Sequence, residues 1–141
     1  MLRGMSFTNI EKKPITTNEV KQIPIPSNVI TEMTKESFAQ ALADNKGALI
    51  IKFGAEWCGP CKRIEPLVND WMSKLPETVQ GAIIDIDDYF EIYAFLKSKR
   101  IVNGVPVMVC YKKGNLSYIP DEVIVGSDVN QINLFFNKCL S

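Results

Sequence analysis

Histidine is missing from all 141 residues, and with it go every His-based catalytic triad and every His-containing metal site. No apolar run approaches the ~20 residues that a helix needs to cross a membrane, so no membrane partner is expected. A prevailing charge is lacking too: 16 Lys+Arg stand against 16 Asp+Glu. A net-neutral chain offers a nucleic acid no general basic surface. The opening stretch, MLRGMSFTNIEKKPITTNEVKQ, has no apolar signal core, and Glu11 and Glu19 interrupt its basic residues. A cytoplasmic, reducing setting is therefore expected. What remains is an ordinary globular composition, 46% hydrophobic and 23% charged, in a length that suits one domain. Nucleophilic or proton-transfer chemistry then falls to Cys, Asp, Glu or Lys.

The first 27 residues are polar, carry Pro14, Pro24 and Pro26, and show no periodicity. They read as an extended or disordered arm, with the Ile-Pro-Ile-Pro stretch able to lie against a domain at 28–141. Val29 to Met33 alternates as a short edge strand, and Thr34 is placed to cap a helix carrying Phe38, Ala41 and Leu42 on one face. Ala48 to Phe53 is an apolar run broken only by Lys52, which predicts a buried central strand. Ile64, Leu67, Val68, Trp71 and Leu75 then recur at helix spacing over 60–75, with Pro66 expected to kink the middle. Val79 to Asp87 predicts another strand, and Asp88 with Glu91 has capping-box spacing for a helix to Ser98. A strand over Val105 to Tyr111, a turn at 112–115, a return strand over Leu116 to Ile119 and a C-terminal helix complete the chain. The last helix shows Val129, Ile132, Phe135, Phe136 and Cys139 on one face. Strand–helix alternation followed by a hairpin and a helix predicts an α/β fold, a central mixed β-sheet flanked by helices on both faces.

Four cysteines stand at 58, 61, 110 and 139. The pair at 58 and 61 lies between a predicted buried strand and the start of a helix, in the segment Trp57-Cys58-Gly59-Pro60-Cys61-Lys62. Thiol–disulfide exchange needs one thiolate to attack and a second thiol near enough to resolve the mixed disulfide. A two-residue gap at a helix N-terminus meets both needs, because unpaired N–H groups and the helix dipole favour a thiolate at Cys58. Pro60 is tolerated in a first turn, whose donors are unpaired in any case. Half of a zinc site is the competing reading. It wants two more ligands, and Cys110 and Cys139 are far apart in a strand and a helix. No metal is expected, and Cys110 and Cys139 read as small core hydrophobes.

The segment from Trp57 to Lys62 resembles the active site of the thioredoxin family, and the likeness extends over 28–141. The resemblance implies the thioredoxin fold and a protein disulfide reductase, with Cys58 attacking and Cys61 resolving. It also implies a cis-proline at Val105-Pro106, and a substrate groove formed by Trp57, Val105, Pro106 and Gly126. Disulfide-containing proteins would be its substrates and an external reductase its electron donor, with a monomer and no cofactor beyond the Cys58–Cys61 pair. The alternative is a thioredoxin-fold binding or scaffold module in which redox turnover is incidental.

This sequence departs from the family at three places. Lys52 stands where the family has a buried Asp that moves protons at the resolving thiol. It is expected to snorkel, to pair with Asp85, or to tune the thiols by its charge. Gly54 replaces a bulkier residue and is expected to open the groove rim. The stretch from Tyr89 to Val105 is longer than in the family, which would bring Lys97, Lys99 and Arg100 close to the active face. That run reads as a solvated surface, or as a bias towards acidic partners.

Overall fold

The structure, a computed structural model, describes residues 23–141. Its elements are α1 (Lys35–Ala43), β1 (Ala48–Gly54), α2 (Gly59–Ser73), β2 (Val79–Asp85), α3 (Phe90–Ser98), β3 (Val107–Lys112), β4 (Glu122–Val125) and α4 (Val129–Cys139). The four strands form one mixed sheet in the order β2-β1-β3-β4. β1 runs parallel to β2 and antiparallel to β3, and β4 is antiparallel to β3. Among the described residues no helix is long and apolar enough to cross a membrane.

Every residue of β1 is buried, which fits a central strand covered on both faces. Its side chains alternate between two cores. Leu49, Ile51 and Phe53 join Phe38 and Leu42 of α1 and Ile92 and Leu96 of α3. Ala48 and Ile50 face Ile64, Val68 and Met72 of α2 and Ile132, Phe135 and Phe136 of α4. Lys52 continues this second set by strand periodicity, so it points towards α2. Stacking of Trp71 on Phe136, with ring centroids 4.9 Å apart, ties α2 to α4.

Several local expectations change. Thr34 caps α1 as expected, in a reciprocal pair with Ser37. The strand expected at Val29 to Met33 shrinks to one bridge between Ile30 and Ala82, through Ile30 N–H to Gly81 O (3.0 Å) and Ile83 N–H to Ile30 O (2.8 Å). Asp88 is not a cap. Tyr89 holds that position without a side-chain hydrogen bond, and Asp85 takes the Asp87 and Asp88 N–H groups on its carboxylate. The return strand lies at Glu122–Val125 rather than at Leu116 to Ile119. Asn115 and Asp121 hold the intervening loop instead, through Asn115 Nδ2 to Asp121 Oδ2 and Lys112 N–H to the same oxygen.

Of the arm, residues 1–22 fall outside the described residues. The stretch that follows does lie against the domain: Asn69 Nδ2 donates to Ile23 O at 3.0 Å.

Candidate active site

Helix α2 begins where the sequence offers a side-chain acceptor. Cys58 is its N-cap, with extended backbone, and its sulfur accepts the N–H of Cys61 at 3.1 Å. Gly59 and Pro60 form the first turn, so the missing proline N–H breaks no helical bond. Cys58 and Cys61 are joined as a disulfide, with Cα atoms 5.2 Å apart. Both sulfurs are buried among Ala55, Ile86 and Val105. Residues flanking Cys58 are open: Trp57 is 68% exposed and Gly59 is exposed. The Trp57 indole donates to Asp87 Oδ2 at 2.9 Å, which fixes the ring beside the disulfide. Lys62 turns away into a surface ion pair with Glu56 at 3.3 Å, an interaction of small energetic weight.

Two other segments reach the same place. The Val105-Pro106 peptide is cis, and the Val105 carbonyl oxygen lies 3.8 Å from the Cys58 sulfur. Gly126 donates its N–H to Pro106 O at 2.9 Å from a backbone at φ 100°, a conformation that favours glycine. Trp57 adjoins Cys58 in sequence, Val105 meets its sulfur, and Gly126 is tied to that segment through Pro106.

Cys110 and Cys139 lie in the α2/α4 core, apart from the disulfide. Hydrogen bonding with Cys110, and then burial, pushes the Cys139 thiol above its ordinary range. Among the described residues no group of three His, Cys, Asp or Glu side chains converges as a metal site.

The basic run is not near this face. The chain crosses from Tyr89 along α3, and Lys99 ends over the rings of Phe95 (5.7 Å) and Tyr118 (5.5 Å). Tyr118 belongs to the loop that leaves the far end of β3, whereas Cys58 adjoins its near end. Arg100, with φ 63°, follows the end of α3 on the way to Val105.

Lys52 is 4% exposed. It does not pair with Asp85, and among the described residues it makes no ion pair within 4.0 Å. Desolvation lowers its pKa, and the carboxylate of Glu65 partly opposes that shift. Gly54 borders a cavity of about 270 Å³ that Lys52, Cys61 and Glu65 line; none of Trp57, Val105, Pro106 and Gly126 lines it, so this opening is not at the expected groove rim. Ile25, from the segment before the sheet, also borders it. Asp87, Glu65 and Ile25 escaped the sequence reading. Only Glu65 had a readable signal, lying four residues beyond Cys61 and so on the same helix face.

A cysteine pair across the first turn of a helix, on a mixed sheet beside a cis-proline, defines a thiol–disulfide oxidoreductase. The Thioredoxin family model matches residues 29–137. The mitochondrial thioredoxin of Rattus norvegicus is 27% identical over 147 residues, covering 97% of this chain and 84% of that protein. Thioredoxin H8 of Arabidopsis thaliana is 28% identical over 131 residues, covering 89% and 82%. Among solved structures, the Malassezia sympodialis thioredoxin Mala s 13 superposes with a TM-score of 0.66 at 24% identity, covering 82% of this chain and 96% of that one. The chain belongs to the thioredoxin family and is a protein disulfide reductase acting through Cys58 and Cys61.

Proposed function

We propose that Cys58 is the attacking thiol and Cys61 the resolving one, and that disulfide-bearing polypeptides dock along Trp57, Val105, Pro106 and Gly126. The observation that carries the assignment is the N-cap geometry. In the disulfide the Cys58 sulfur already accepts the Cys61 N–H at 3.1 Å. That donor and the positive end of α2 would stabilise a thiolate at Cys58. Cys61 has its own backbone inside the first turn and is 2% exposed, a placement that suits a second, internal attack. The Val105 carbonyl beside the Cys58 sulfur would offer an extended substrate segment a main-chain contact.

In this reading the oxidised pair is reduced again by an external reductase, and the chain works as a cytoplasmic monomer with no bound metal or organic cofactor. Turbidimetric reduction of insulin by dithiothreitol tests the assignment. The wild type should accelerate it and Cys58→Ser should not. Activity that survives Cys58→Ser, or a wild type without activity, overturns it; the latter result would favour a binding or scaffold role. Cys61→Ser should trap substrates as mixed disulfides on Cys58, and their identification would define the partners.

A further inference from the structure

Lys52 and Cys61 face one another across space that a glycine leaves empty. The point where a side chain at 54 would begin lies 3.5 Å from Lys52 Nζ and 3.5 Å from Cys61 Sγ. The amine and the sulfur are therefore within twice that distance of each other. The adjoining cavity of about 270 Å³ has room for several waters at ~30 Å³ each. A buried lysine is costly as a permanent cation, and burial is the usual way to make its amine a base.

We propose that the Lys52 amine accepts the proton of Cys61 across this cavity, and that Glu65 steadies the ammonium so formed. The proposal rests on the exchange reaction assigned above. In the mixed disulfide the Cys58 sulfur is bonded to a substrate sulfur and Cys61 is a thiol. Lys52 takes the Cys61 proton, and the Cys61 thiolate attacks the Cys58 sulfur. The Cys58–Cys61 bond forms, the bond from Cys58 to substrate breaks, and the substrate sulfur leaves as a thiolate. Two electrons pass from the protein dithiol to the substrate disulfide. The proton on Lys52 returns through the cavity to solvent, which also protonates the departing thiolate. Proton transfer leaves a thiolate beside an ammonium, so the charges it creates attract.

The titratable groups that line the cavity with Lys52 are Cys61 and Glu65 of α2, Glu56 of the turn before it, Asp85 at the end of β2, and Asp88 of the loop beyond. Burial holds the ammonium below its ordinary range, and Glu65 pulls it partly back up.

An aromatic disulfide is the probe, because each thiolate it releases is coloured. The first release reports attack by Cys58 and the second reports resolution by Cys61. In the wild type the second phase should quicken with rising pH through one titration. Lys52→Met should slow that phase about tenfold or more and flatten its pH profile. Lys52→Arg, a fixed cation that cannot accept a proton, should do the same. An arginine variant with the wild-type rate and profile would show that charge alone matters, and a methionine variant at the wild-type rate would remove Lys52 altogether. Either result overturns the proposal. If neither variant folds, Glu65→Gln decides: its side chain is exposed, and its loss should move the wild-type titration to lower pH. No movement, or movement upward, refutes the assignment. A wild type without a first phase would instead refute the exchange reaction itself.

Discussion

Replacing Gly54 by alanine separates the packing of this site from its chemistry. The Gly54 backbone is not in the left-handed region that Gly104, Gly114 and Gly126 occupy, so an alanine can adopt it without strain. The new methyl would meet Lys52 Cε at 3.4 Å, and Cys61 Sγ and Lys52 Nζ at 3.5 Å, which are ordinary contacts. Restricting the unfolded chain should add about 0.4–1 kcal/mol of stability. Crowding water away from the Lys52 ammonium offsets part of this, so the net change lies between about zero and 1 kcal/mol. For a chain of this size that is a rise in Tm of at most about 3 °C. The same methyl occupies the space through which Lys52 reaches Cys61.

Thermal unfolding of the oxidised protein gives the first quantity, and the second phase of aromatic disulfide reduction gives the other. Gly54→Ala should unfold at or slightly above the wild-type temperature, with a normal first phase and a second phase several-fold slower. A fall in Tm beyond about 3 °C would show that the gap is not free to be filled. A second phase at the wild-type rate in a folded variant would show that the proton does not pass through it.

Phe136 is fully buried and packs on both Trp71 and Phe135. Phe136→Ala should cost about 3–5 kcal/mol in denaturant unfolding, with turnover per folded molecule unchanged because the ring lies outside the cluster around Cys58; a loss under about 1 kcal/mol refutes the packing argument. The Asp121 carboxylate is held below its ordinary range chiefly by the Lys112 N–H, and then by Asn115. A depressed folded pKa stabilises above the unfolded value of 3.8 and is lost as pH falls through the folded one. Asp121→Asn should therefore be less stable near neutrality, by about 1 kcal/mol or less, and the gap should close in acid; a gap independent of pH contradicts this. Reversing Lys99 and Arg100 to Glu should leave turnover of acidic and basic disulfide peptides equally unaffected, since Lys99 lies over Phe95 and Tyr118. A preference that changes with the reversal would place that run at the substrate face.

What the sequence made legible was what local chemistry decides. Cys58, Gly59, Pro60 and Cys61 carry their own instructions for a helix start, and the apolar run from Ala48 to Phe53 marks a buried strand whatever its neighbours are. Misreadings arose where two local signals competed. Asp88 has the spacing of a cap, yet Asp85 engages the N–H groups at 87 and 88 first. Leu116 to Ile119 alternates like a strand, but Asn115 and Asp121 satisfy the loop with side chains, and the Tyr111 hydroxyl donates to Tyr118 O. The environment of Lys52 was beyond such reading for a different reason. Its cavity is an absence at Gly54, bounded by Glu65 from a helix and Asp85 from a neighbouring strand. One substitution from carboxylate to amine is visible in the letters alone; whether the amine works as a cation or as a base depends on which groups the fold gathers around it. Among the described residues they are a buried thiol and the carboxylate of Glu65, with Asp85 already accepting the N–H groups of Asp87 and Asp88. In the proposed step a neutral amine takes the thiol proton, where the family resemblance implies an anionic carboxylate.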